Sequence, residues 1–158
     1  MPFRVQAPDA LLGLDWARPG TVDDDYRGFG WGFVPGLVLG SACEPRVMLA
    51  SPLVLALHNA PPEDALESTG FLLEFDIDGE RLHVELEAFL KVWLPRLPTA
   101  DTVVLALCNP ERRELPRPRG LSGGTRFIHA LGDVESWGED DGRGQVVRGL
   151  RAEAWRTG

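Results

Sequence analysis

Three kinds of residue in this 158-residue chain carry side chains suited to chemistry: the histidines His58, His83 and His129, the aspartates Asp76 and Asp78, and Ser122 among glycines. The histidines are far apart, and none has a second ligand-type side chain at the helical or hairpin spacing that a zinc site uses, so no metal and no cofactor is expected. His83 falls between Leu82 and Val84 and shares its alternation with Arg81 and Glu85, which places it on an outward, polar face. His58 ends an apolar run and His129 interrupts one, positions suited to hydrogen-bonded histidines at a strand end and within a strand. Cys43 and Cys108 have no neighbouring cysteine and read as two buried thiols rather than a disulfide framework. Gly28, Gly30 and Gly32 alternate with Phe29 and Trp31 but neither follow a strand nor open a helix, so they lack the setting of a dinucleotide site.

The run Leu72-Leu73-Glu74-Phe75-Asp76-Ile77-Asp78-Gly79 resembles the first motif of the haloacid-dehalogenase phosphatases. That resemblance implies Asp76 as nucleophile, Asp78 as acid and base, and a magnesium ion to neutralise the phosphoryl group under attack. The surroundings depart from the pattern. Glu80 stands where the family has a small hydroxyl or apolar residue, the motif lies mid-chain, and the only lysine, Lys91, follows too soon to be the family's phosphate-binding lysine. An Asp78-Gly79 hairpin turn between alternating strands accounts for the same residues with fewer requirements. Gly120-Leu121-Ser122-Gly123-Gly124 matches the glycine-serine-glycine pattern of a nucleophile elbow, which needs a strand before it and a helix after. Leu115-Pro116-Arg117-Pro118-Arg119 cannot form that strand, so Ser122 reads as a loop tip.

The elements that would hold these residues follow from periodicity and breakers. Gly 18 and Pro 13 favour many short elements over a helical bundle. Residues 1–28 read as an irregular lead-in. The apolar run between Arg46 and His58 suits a strand buried on both faces, with Pro52 marking a bulge or edge. Pro61 and Pro62 open a helical turn carrying Glu63, Asp64 and Glu67. After the hairpin, Leu86, Phe89, Leu90 and Trp93 recur at steps of three and four and form the stripe of an amphipathic helix. Strands are expected at 102–107 and 126–131, a mobile loop at 111–124 and a charged turn at 138–144; residues 145–156 fit a partner strand or a terminal helix, and Gly149, which weakens a helix, favours the strand. Phe29, Trp31 and Phe33 share one side of an extended segment and read as core. The expectation is a single α+β domain over 1–158, a mainly antiparallel sheet with one central amphipathic helix packed on it and short additional helical turns.

The net charge of −8 arises in one place. Residues 61–90 hold Glu63, Asp64, Glu67, Glu74, Asp76, Asp78, Glu80, Glu85 and Glu87 against Arg81 alone, and the rest of the chain is balanced. Such a field repels nucleic acid and anionic lipid and attracts basic surfaces. The 29–43 run is too short and too rich in glycine to span a membrane, and the first residues lack the apolar core of a secretory signal, so a cytoplasmic location is expected. The chain is similar in size, charge and want of a catalytic constellation to bacterial immunity proteins, a similarity that spans no alignable residues. The expectation is a small acidic protein-binding module, an immunity, inhibitor or adaptor protein that captures a basic partner. Glu63, Asp64, Glu67, Glu74, Asp76 and Asp78 are its contact residues, and the chain is a monomer or homodimer. The alternatives are a metal- or carboxylate-dependent hydrolase with a scattered active site and a scaffold that dimerises through 29–33.

Overall fold

In the computed structural model the described residues are 4–5, 29–42, 44–60, 71–77, 80–140 and 146–157. They form twelve strands and one α-helix. The strands are β1 (Arg4–Val5), β2 (Phe29–Phe33), β3 (Leu37–Ser41), β4 (Val47–Leu49), β5 (Leu53–Leu57), β6 (Leu72–Ile77) and β7 (Glu80–Glu85). After helix α1 (Leu86–Trp93) come β8 (Thr102–Ala106), β9 (Arg126–Leu131), β10 (Glu135–Asp140), β11 (Val146–Ala152) and β12 (Ala154–Thr157). Among these residues no helix is long and apolar enough to cross a membrane.

The middle layer is a five-stranded sheet in the order β12-β9-β8-β5-β2. Its inner strands are apolar at nearly every position because both faces are covered, the pattern that separates a doubly buried strand from an alternating one. On one face Leu53, Leu55, Leu57, Val103, Leu105, Leu107 and Phe127 meet α1 and the β6–β7 hairpin through Leu73, Phe75, Val84, Phe89, Leu90 and Trp93. On the other, Val54, Val104, Ala106 and Ile128 meet Leu37, Leu39, Leu49 and Leu150 of a four-stranded sheet ordered β10-β11-β3-β4. Alternate residues of one strand thus serve two separate cores.

Two long hairpins pass through both sheets. β2 and β5 pair in the middle sheet, and their continuations β3 and β4 pair in the outer one. The bend between them is held by the Val34 N–H donating to Pro52 O and the Gly36 N–H donating to Ala50 O. Gly36, at φ +67°, takes the left-handed conformation that the Pro35-Gly36 turn requires. β9–β10 and β11–β12 repeat the arrangement, with the bends at Gly132 and Glu153. The apolar run expected as one strand is therefore two, β4 and β5, and Pro52 sits at the bend. The strand expected over 145–156 is likewise present and divided at Glu153, and β10 takes residues assigned to a turn as far as Asp140.

The hairpin expected around Asp78-Gly79 forms, with Ile77 opposite Glu80 and Leu72 opposite Glu85. The two turn residues themselves lie outside the described residues, as does the helical turn bearing Glu63, Asp64 and Glu67. Two points of the fold expectation are qualified. The sheets are mixed: five pairings among the described strands are antiparallel, while β5–β8, β8–β9, β11–β3 and β1–β7 run parallel. The helix is present with its expected face buried, but the centre is a sheet and α1 covers it from outside. In the lead-in, Arg4–Val5 is a strand beside β7.

Trp93 packs its ring against Phe89, centroids 6.3 Å apart, and Phe89 in turn meets Phe75 at 5.4 Å. Trp93→Ala is expected to cost about 3–5 kcal/mol, a large share of the stability of a domain this size. Chemical denaturation reads the loss, and an unchanged midpoint would remove Trp93 from the core.

Candidate functional site

Two histidine-centred arrangements emerge, on different layers. The first lies on the β6–β7 hairpin. The pairing register of β6 with β7 sets Glu74 opposite His83, and the Nε2 of His83 lies 3.2 Å from Oε2 of Glu74. The Glu74 N–H also donates to the His58 carbonyl, which puts positions 58, 74 and 83 in one row across three adjacent chain segments. His83 is fully buried, which corrects its reading as a surface residue: the face it shares with Arg81 and Glu85 is covered at its own position. Among the described residues no group of three His, Cys, Asp or Glu side chains is placed to share a metal ion.

The second arrangement is the 109–132 region, where an irregular connection crosses the end of the middle sheet. Asn109 anchors it from beneath. Its buried amide donates to Arg113 O at 2.7 Å and Ala130 O at 3.1 Å, and its Oδ1 accepts from the Arg113 N–H at 3.0 Å. The backbones of Asn109 and Gly132 exchange hydrogen bonds, each N–H donating to the other's carbonyl. Gly132 is at φ +82°, and a Cβ there would come within 2.8 Å of Glu153 Cβ, so both conformation and space demand glycine. Glu153 accepts from Arg112 Nε at 2.7 Å and so ties the connection to the bend between β11 and β12.

Farther along, the Arg117 guanidinium donates to the carbonyls of Ser122 and Thr125. The Thr125 hydroxyl donates to Ala100 O at 2.8 Å, which leaves it to accept from Ser122 Oγ, also at 2.8 Å. The Ser122 hydroxyl is therefore a structural donor without an imidazole to activate it, and the nucleophile-elbow pattern is a turn. Leu115 and Leu121 pack onto the core beneath. The composition of 111–124 predicts mobility, and these anchors define what an opening motion has to break.

His129 occupies the centre of this region. Burial is almost complete, and the ring stacks on Phe127 with centroids 5.9 Å apart. Its Nε2 accepts the Leu115 N–H at 3.2 Å, which assigns the proton of the neutral ring to Nδ1. Nδ1 is itself buried and has no hydrogen-bond partner among the described residues. Burial lowers the pKa of His129 from the ordinary 6.5, with Glu114 opposing the shift and Arg156 adding to it. Glu114 Oε2 is 4.0 Å from Nε2, and its other oxygen faces Arg156 Nε at 3.3 Å. Arg156 also approaches Glu44 at 3.6 Å. The group is a neutral buried imidazole flanked by an exposed ion-pair chain.

Of the residues expected to contact a partner, Glu74 is directed onto His83, and Asp76 is a backbone position of β6 opposite Arg81. Glu63, Asp64, Glu67 and Asp78 lie outside the described residues. The resemblance to phosphatases finds no support in topology, since the strand carrying Asp76 turns straight back into an antiparallel partner. Cys108 is a free thiol whose Sγ accepts the Val134 N–H at 3.3 Å. Asn109, Glu114 and Arg156 were not singled out by sequence. Asn109-Pro110 marked only the end of a strand, and nothing local ties residues 114, 129 and 156 together.

Asn109→Ala strands the buried Ala130 carbonyl and removes both side-chain bonds to Arg113, and is expected to cost about 1–3 kcal/mol. It should also speed tryptic cleavage at Arg112 and Arg113. Stability and cleavage rates equal to those of the parent would show that Asn109 is not the anchor. No family model matches the chain, and comparison with curated proteins and with solved structures finds no match.

Proposed function

We propose that the chain is a small acidic protein-binding module, of the immunity, inhibitor or adaptor kind, which captures a basic partner through residues 61–90. The observation that carries this reading is the confinement of the whole net charge of −8 to that segment. The fold supports it by making the β6–β7 hairpin and α1 the outer cover of the middle sheet, with their apolar faces turned inward. Glu85 and Glu87 are exposed where strand passes into helix, and neither has an ion-pair partner among the described residues. Exposed, unneutralised carboxylates attract a basic surface over about 8 Å at physiological ionic strength and raise its association rate. Glu74 contributes less than its charge implies, because its carboxylate faces His83.

A Glu63→Lys/Asp64→Lys/Glu67→Lys variant tests the reading. In affinity capture from the native host, the parent chain should retain one basic protein and release it as salt rises. The folded variant should associate about tenfold or more slowly. Association unaffected by both salt and charge reversal would make the segment a solubilising surface only.

A dimeric scaffold is the second reading, favoured by one observation: β2 is an edge strand of the middle sheet and Phe33 on it is 44 % exposed. Sedimentation of the isolated chain distinguishes the two. A dimer broken by Phe33→Lys supports the scaffold, and a monomer at every concentration excludes it.

A further inference from the structure

We propose that His129 is a pH-sensitive latch, whose neutral ring holds the middle of the 111–125 connection against the sheet and whose protonation releases it. The connection is fixed at its ends without any titrating histidine. Asn109 holds Arg113 at one end, and Arg117 and the Thr125 hydroxyl hold 122–125 at the other. Between these ends, residues 114–116 rest on the Leu115 N–H bonded to His129 Nε2, on the Leu115 side chain packed on the core, and on the exposed ion pair of Glu114 with Arg156.

That bond exists only while Nε2 has a free lone pair. Protonation converts Nε2 into a donor and sets two N–H groups head to head across 3.2 Å in a buried site. Relief requires either the backbone of Leu115 to withdraw or Glu114 to swing in and accept from Nε2, and both move the same stretch of chain. Nδ1 offers no alternative, because it already carries a proton and is enclosed.

Among the described residues, Glu114 and Arg156 are the charged groups that face the ring. The connection supplies Glu114, and β12 supplies Arg156, which is opposite His129 in the ladder and also faces Glu44 of the β3–β4 turn. β8 presents Leu105, and Phe127 covers one ring face. Glu114 favours the imidazolium, while burial and Arg156 oppose it, and burial is the largest of the three.

The sign of the pH dependence follows. The folded chain binds its proton on His129 less readily than the unfolded chain, so the stability contributed by the neutral ring is complete above pH 6.5. It is lost as pH falls from 6.5 through the lower folded-state value. Release of 114–116 belongs to that window and not to the alkaline side.

Amide-resolved NMR of the whole chain tests the latch across a titration from above 6.5 to well below it. The protection factor of the Leu115 amide, corrected for intrinsic exchange, should fall by up to about tenfold per pH unit as pH drops below 6.5, and level off at the midpoint shown by the His129 ring shifts. The Arg113 amide, bonded to Asn109, should keep its protection over the same range. In a His129→Gln variant, whose carboxamide oxygen accepts without titrating, Leu115 should stay protected throughout. Leu115 protection that survives ring protonation would overturn the proposal. So would loss of protection over the same window in the glutamine variant, or loss at Arg113 together with Leu115. Should the glutamine variant not fold, a loss in the parent chain that begins near 6.5 and levels off at the ring midpoint decides alone.

Discussion

Covering the middle sheet on both faces is the constraint on which the other parts depend. A strand with an apolar neighbour above and below cannot hold a charge, so β5 and β8 are built almost wholly from leucine, valine and alanine. Leucines and Phe127 on one face and smaller valines, alanine and Ile128 on the other match two different covers, an aromatic-rich helix and hairpin and a second sheet. Charge is thereby excluded from the centre and collects on the outer cover and on the irregular connection, where the two histidine arrangements lie.

The bends between sheets are a second consequence. A chain that serves two stacked sheets must turn without leaving backbone groups unpaired, and each bend solves this with its own residues. Pro52 contributes a carbonyl where it lacks an N–H, Gly36 and Gly132 adopt positive φ, and Asn109 supplies side-chain bonds where no strand continues. Trp155 fastens the sheets directly, its indole N–H donating to Gly40 O at 3.0 Å. Polar residues in these places do structural duty, which accounts for Ser122 and Asn109 being fully occupied.

Signals confined to one segment were legible in the sequence. The hairpin was written in Asp78-Gly79 with alternating flanks, the helix in Leu86, Phe89, Leu90 and Trp93, and the buried strands in unbroken apolar runs. Sheet direction was not legible, because parallel pairing of β5 with β8 depends on everything between them. His83 was misplaced although the information was at hand. The turn at 78–79 dictates that residue 83 faces residue 74, a carboxylate, but alternation alone cannot say which polar face is covered. The His129 cluster was invisible because Glu44, Glu114, His129 and Arg156 meet only after two sheets have stacked.

The parallel seam between β3 and β11 sets the order in which this architecture can assemble. Leu39 lies beside Leu150, so the outer sheet is completed by residues made long after its first strands, and the hairpin of β3 and β4 must wait with one edge open. Closing so long a loop before its contacts reward the entropy is slow, the hallmark of folds dominated by distant pairings. During that interval the exposed Met48 and Val47 on β4 and the open edge of β3 form an apolar ribbon resembling the templates that seed aggregation. Completion of the outer sheet therefore rests on a distant pairing of β3 with β11 and not on its local hairpins alone.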